Sequence, residues 1–232
     1  MDKTMTFSPA ATLKNIERRL RTSFGDDIST PRARFQAKLH YHLFDHAFLR
    51  VPWSNFDKVS EGVYRSNQPD HKRLERYRDM GIRTVLNLRG SNPYSPYLFE
   101  AESCEKLGLE LVSTQLHARQ SASPEELLHL IGLFRSLDKP FVMHCKSGAD
   151  RAGLASALYQ MVIDGKSVEE ARKQLSLRYI HLKWTRTGIC DHLFDVYEKR
   201  NAESPIGIEE WIATEYDHEA LTRSFLDRKA RT

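Results

Sequence analysis

Cysteine is scarce in this 232-residue chain: Cys104, Cys145 and Cys190 are the three, widely spaced and odd in number. No C-x-x-C pair occurs, so neither a disulfide framework nor a zinc site is suggested, and a reducing compartment, the cytoplasm, is the expected setting. Long apolar runs are also missing. Lys3, Lys14, Arg18, Arg19 and Arg21 interrupt every apolar stretch near the start, which speaks against a secretory leader, and no run reaches transmembrane length. Internal repeats and low-complexity tracts are absent too, which excludes solenoids and disordered linkers. With 40% hydrophobic and 28% charged residues, what remains is an ordinary folded domain with one substantial core.

Charge is modest but uneven. The formal net charge is +4, and residues 1–50 hold nine Lys/Arg against five Asp/Glu, so the excess is N-terminal. The first reading of such an excess is a solvated helical face, and the second is an anionic membrane surface. No nucleic-acid partner is expected. Residues 11–24 place Leu13, Ile16, Leu20 and Phe24 at helical spacing with basic residues between them, an amphipathic helix that offers peripheral contact with the inner face of a membrane. Gly25 and Pro31 break that pattern, and a second, longer helix follows through "RARFQAKLHYHLFDHAFLR".

Strands and helices then alternate. "FDKVSEGVYRSNQP" reads as a short strand or hairpin, "HKRLERYRDMG" as a helix stopped by Gly81, and "IRTVLNLRG" as a buried strand. "YLFEAESCEKLG", "LELVSTQL" and "SPEELLHLIGLFRSL" continue the order, the last a helix with Ser123 and Glu126 at capping-box spacing. Strand "PFVMHC" and helix "AGLASALYQMVIDG" follow, then helices beginning near Ser167 and Thr185. The order predicts an α/β fold with a largely parallel central sheet flanked by helices. The expected division is a helical N-terminal extension over residues 1–50, a domain expected to be catalytic over 51–200, and a C-terminal helical extension over 201–232 with periodicity through Ile208, Trp211 and Ile212.

The chemistry lies in "HCKSGADRAG", residues 144–153. A loop between a strand and a helix can curl its backbone N–H groups around phosphate oxygens while the helix directs its positive end at the same point. Gly148 permits the positive φ that such a curl requires. Arg151 adds a planar fork matched to two phosphate oxygens. The same positive field favours the thiolate of Cys145, which makes nucleophile and anion trap a single object. The phosphate-binding set is Lys146, Ser147, Gly148, Ala149, Asp150 and Arg151, and no metal or cofactor is required.

His144, Cys145, Gly148 and Arg151 reproduce the His-Cys-x5-Arg signature, and the segment resembles the cysteine-dependent phosphatases, the superfamily of protein tyrosine and dual-specificity phosphatases. "VYRSNQP" and "GIRTVLNLRG" are similar to the first strands of small bacterial and fungal members. The resemblance implies the cysteine-phosphatase fold over roughly residues 56–200. It also implies a two-step reaction in which Cys145 attacks phosphorus and water hydrolyses the phosphocysteine. Arg151 holds the equatorial oxygens, and His144 supports the loop.

Two positions depart from the family pattern. Ala152 stands where many members carry Ser or Thr, a hydroxyl that helps the sulfur leave in the second step. The stretch "QLHARQSASPEE", where the general-acid aspartate is usual, contains no Asp. Asp150 is the first candidate to replace it, as in some lipid-directed members, and its structural alternative is a carboxylate that orients Arg151 or a loop amide. His117 is the second candidate. Glu125 or Glu126 is the third, better suited to the helix N-terminus.

Lys146, with Arg119 on the presumed acid loop, favours substrates bearing more than one anionic group. The leading expectation is a dual-specificity phosphatase acting on a phosphorylated substrate. The alternatives are a phosphatase for phosphoinositide, lipid-linked or sugar phosphates at a membrane, and a phosphate-binding pseudophosphatase. Trp53, Trp184, Trp211, Tyr94 and Tyr97 are candidates for a pocket rim or for core packing. Cys104 and Cys190 read as inert buried thiols before they read as disulfide traps for Cys145. His181 and Lys183 read as structural before substrate-facing.

Overall fold

The computed structural model describes residues 24–230. Helix α1 (Pro31–Leu43) opens where the sequence dictates: Thr30 Oγ1 accepts from Ala33 N, and Pro31 occupies the first turn, where its missing N–H costs nothing. The predicted longer helix ends at Leu43. His46 enters the left-handed region at φ 53° and starts a separate 3₁₀ turn, Ala47–Arg50. Of the amphipathic helix expected over residues 11–24, all but Phe24 lies outside the described residues.

A hairpin of β1 (Asp57–Ser60) and β2 (Val63–Asn67) leads into α2 (His71–Asp79), β3 (Thr84–Asn87), α3 (Ser95–Leu107) and β4 (Glu110–Ser113). Helix α4 (Pro124–Ser136) then precedes β5 (Phe141–Cys145) and α5 (Asp150–Val162). The capping box at Ser123 and Glu126 is present as the spacing predicts. The sheet order is β1-β2-β5-β3-β4, with β1 antiparallel to β2 and the other pairs parallel. Strand β5, inserted between β2 and β3, is buried at every position, as a central strand covered on both faces must be.

Alternation along the strands feeds two cores. Leu86, Phe141, Met143 and Cys145 point into one, with Leu154, Leu158 and Phe194, whereas Val85 and Val142 point into the other, with Leu74, Tyr77 and Cys104. Cys104 therefore occupies the opposite face of the sheet from Cys145, and burial pushes its thiol up to about 12. Cys190 shares the core of Cys145, and burial raises its thiol too. All three cysteines are free and buried.

Beyond α5 the helix expected near Ser167 is a single turn, α6 (Val168–Ala171), followed by 3₁₀ turns. Helix α7 (Ile189–Glu203) precedes α8 (Ile208–Thr214) and α9 (His218–Ala230). Trp211, Ile212, Leu221 and Phe225 belong to the same core as the central strand, so the C-terminal helices help build it. This answers the choice left open for Trp211, which packs in the core and lines no rim.

Candidate active site

Cys145 ends the central strand, and α5 begins five residues later, so residues 146–149 must reverse the chain over the strand end. Gly148 makes the reversal with φ +73°. A Cβ there would stand 2.6 Å from Asn67 N and 2.7 Å from Ser66 C, so the loop rests directly on the backbone of β2. Only glycine satisfies both demands.

The loop's carbonyls all face away from its centre and are bonded from behind. Lys146 O accepts from Gln68 N at 3.4 Å, Ser147 O from Asn55 Nδ2 at 2.8 Å, and Gly148 O from Arg65 Nη2 at 2.6 Å. Ala149 O accepts from Gly153 N at 2.9 Å and from Arg65 Nη2 at 3.2 Å. The amides of Ser147, Gly148, Asp150 and Arg151 donate to no acceptor among the described residues. Peptide units pinned by their oxygens turn their N–H groups the other way, which produces a ring of unengaged donors at the positive end of α5. Arg151 adds to it, for its Nε is buried without a hydrogen-bond partner. Cys145, 1% exposed, lies beneath the loop.

Arg65 is the main brace. Its guanidinium is wholly buried, donates to Gln174 O and Oε1 at 2.7 Å as well as to the loop, and stacks 3.7 Å from the ring centre of Tyr179. Burial drags it down to about 10. Asn55, itself at φ +48°, bridges Ser147 O to Tyr179 O. His144 is buried with Nε2 2.8 Å from Glu100 Oε1, a close approach without hydrogen-bond alignment, and its Nδ1 lies 3.4 Å from Cys145 O.

Asp150 is joined to a cluster that the chain order conceals. Its Oδ1 accepts from His181 Nδ1 at 2.7 Å, and His181 Nε2 donates to Asp191 Oδ2 at 2.7 Å. An aspartate side chain at each ring nitrogen favours the doubly protonated, imidazolium form of the ring. Burial alone would lower its pKa, but the two carboxylates outweigh burial and raise it to about 9. The preceding residue, Ile180, sits at φ +61°, a strained conformation for a β-branched side chain. The bonds to Tyr179 O and to His181 hold it there.

Two recesses flank the loop. One, about 400 Å³, is lined by Arg119, Asp150, Ile180, Leu182 and Arg186, and thus brings the predicted Arg119 and Asp150 together. The other, about 230 Å³, is lined by Asp45, Arg89, Tyr94 and Lys146. In it Asp45, from the N-terminal extension, meets Arg89 at 2.7 Å, Arg50 at 2.8 Å and Lys146 at 3.5 Å. Burial opposes its charge, but these cations prevail and hold the carboxyl down at about 2. His117 is half-buried, 4.0 Å from Glu126, and Glu126 is committed to the capping box. Trp184 is exposed and Trp53 half-buried.

A family model described as "DSP-PTPase phosphatase fused to NAD+ Kinase" matches residues 53–187. The chain belongs to this DSP-PTPase family. Among curated proteins, the dual specificity protein phosphatase TpbA of Pseudomonas aeruginosa is 25% identical to this DSP-PTPase chain over 126 residues, 53% of it and 54% of the relative. The chain thus spans about half the length of the curated relatives it matches. The crystal structure of P. aeruginosa TpbA superposes with a TM-score of 0.50 at 19% identity, covering 75% of this chain and 92% of that one. The core catalytic domain of the PP-IP phosphatase SIW14 from S. cerevisiae, in complex with citrate, gives 0.50 at 16% identity over 64% and 91% of the two chains. These structures share the DSP-PTPase fold with the present one.

Among residues that sequence reasoning missed, Arg65 and Asn55 brace the loop, and Asp191 completes the cluster around His181. Only Asn55 carried a signal, as a residue type that tolerates positive φ.

Proposed function

We propose that the chain hydrolyses phosphate monoesters through a phosphocysteine intermediate. The observation that carries this reading is the loop with its carbonyls bonded outward and its amides unengaged, with a buried, unpartnered Arg151 Nε at its C-terminal end and the buried Cys145 at its start. In the first step the Cys145 thiolate attacks phosphorus, the bond from phosphorus to the leaving oxygen breaks, and that oxygen takes a proton. Asp150 delivers it, drawing on the Nδ1 proton of His181, with which it shares a 2.7 Å hydrogen bond. In the second step water attacks phosphorus, the sulfur departs, and the water's proton returns to Asp150 and His181. The amides of the loop and Arg151 hold the equatorial oxygens throughout.

A dual-specificity protein phosphatase is the first reading of the substrate class, supported by the curated relatives of that name. A phosphatase for lipid-linked or sugar phosphates is the second, favoured by the cations that line both recesses, Arg119 and Arg186 on one side, Arg89 and Lys146 on the other. Turnover of a small chromogenic phosphate ester tests the reaction itself. Wild type should turn over and Cys145→Ser should not. Absence of wild-type turnover at every pH between about 5 and 8 would refute the enzyme and favour a phosphate-binding module. Asp150→Asn should slow esters with poor leaving groups by about 10²-fold or more and activated aryl esters far less, and equal losses on both would reassign Asp150 to support of the loop.

A further inference from the structure

Six of the eleven exposed large apolar side chains among the described residues lie in two segments at the mouth of the site, and three of the others lie on α1. Phe48, Leu49 and Val51 are exposed in one segment, and Leu177, Ile180 and Trp184 in another, with Val51 76% and Trp184 61% exposed. Both segments border the phosphate loop. Asn55, four residues after Val51, donates to Ser147 O in the loop and to Tyr179 O in the second segment, and Asp45 pairs with Lys146. A chain with two well-filled cores has no need of such a ring for stability, and apolar surface gathered in one place marks a contact.

The charges around the ring identify the partner. "HAFLRVPW", residues 46–53, and "LRYIHLKWTRT", residues 177–187, contain no Asp or Glu. Arg50 and Arg178 are paired with Asp45 and Asp57, whereas Lys183 and Arg186 are exposed beside Trp184. Exposed aliphatic groups and an indole beside the exposed Lys183 and Arg186 suit the interface of an anionic bilayer, where the tails accept the apolar atoms and the headgroups the charges. A second copy of the chain fits poorly, because a two-fold contact through this surface would bring two patches carrying Lys183 and Arg186 together.

We infer that the mouth of the site docks on an anionic lipid surface and presents the loop to phosphomonoesters carried by lipids. The inference rests on the phosphatase reading for its substrate and on the ring alone for its docking.

The full chain should sediment with vesicles of phosphatidylcholine containing one-third phosphatidylglycerol, at least about tenfold more strongly than with phosphatidylcholine alone. The double variant Leu177→Glu/Trp184→Glu, and separately Val51→Glu, should lose about tenfold or more of that binding while turning over the soluble chromogenic ester within about twofold of wild type, which also shows that they fold. Wild type that stays in the supernatant overturns the proposal. So do variants that sediment like wild type, which would move lipid contact away from the ring, to the exposed face of α1 or to residues 1–23, and polyglutamate that displaces the protein from vesicles and binds it with the same sensitivity to the variants, which would make the partner an acidic protein. Vesicle binding that depends on the ring in a chain without ester turnover would uphold the docking and remove the phosphatase reading.

Discussion

Replacing Arg65 by methionine separates what the brace does for folding from what it does for the loop. Methionine fills comparable space and donates nothing. Ala149 O keeps its bond from Gly153 N, but the carbonyls of Gly148 and Gln174 lose the donor that reaches them at 2.6 and 2.7 Å, at ~1–3 kcal/mol each. The lost stacking over Tyr179 adds ~2 kcal/mol. Against this, burial drags the Arg65 guanidinium from 12.5 to about 10, and removing the charge relieves a penalty on the order of 3 kcal/mol. The net loss of stability is about 1–5 kcal/mol, which a domain of this size can survive. The loop is affected more severely, since the Gly148 carbonyl is released and Ala149 O, whose peptide unit carries the Asp150 amide, loses one of its two donors, and a displacement near 1 Å costs about 10²-fold in rate. Urea unfolding and kcat/KM on the chromogenic ester measure the two effects. A cooperative transition with kcat/KM down about 100-fold is expected, with Arg65→Lys recovering part of the stability. A folded Arg65→Met variant within about twofold of wild-type kcat/KM would refute the bracing role.

Gly148→Ala should be costlier for stability, since a Cβ at φ +73° meets two backbone atoms inside 2.8 Å; strain and overpacking together predict a loss of about 2–5 kcal/mol in urea unfolding, and an unchanged midpoint would contradict the close docking on β2. The imidazolium of His181 makes stability depend on pH: its contribution is complete below the unfolded value of 6.5 and lost as pH rises through about 9. Unfolding free energies of wild type and His181→Gln, compared at pH 6 and pH 10, should therefore converge by about 3 kcal/mol, and parallel curves would show that the ring is not charged in the folded state.

The sheet was readable because its strands are apolar runs ended by Gly, Asn or Pro, and the loop because one short stretch carries nucleophile, glycine and arginine together. Arg65 escaped notice for a physical reason. An arginine between Tyr64 and Ser66 in a short strand looks like the polar face of a hairpin, and only the path of α5 and the 3₁₀ turns converts that face into an enclosed one. The cluster of Asp150, His181 and Asp191 was hidden by distance along the chain, with His181 separated by 31 residues from one partner and by 10 from the other. Trp211 illustrates the converse, an aromatic in a C-terminal stretch that reads as rim or core until its neighbours are known. The amphipathic pattern of "RARFQAKLHYHLF" gave the helix correctly but not its facing, since Phe35, Leu39 and Leu43 remain exposed.

A cradle built from main-chain donors makes little use of the side chains at the positions that form it. Amino-acid identity should thus be free to drift at Ser147 and Ala149, while constraint falls on partners far off in the chain, such as Arg65, 83 positions before Gly148, and Asn55, 92 before Ser147. Saturation mutagenesis would draw that map as a tolerant motif held by intolerant strangers.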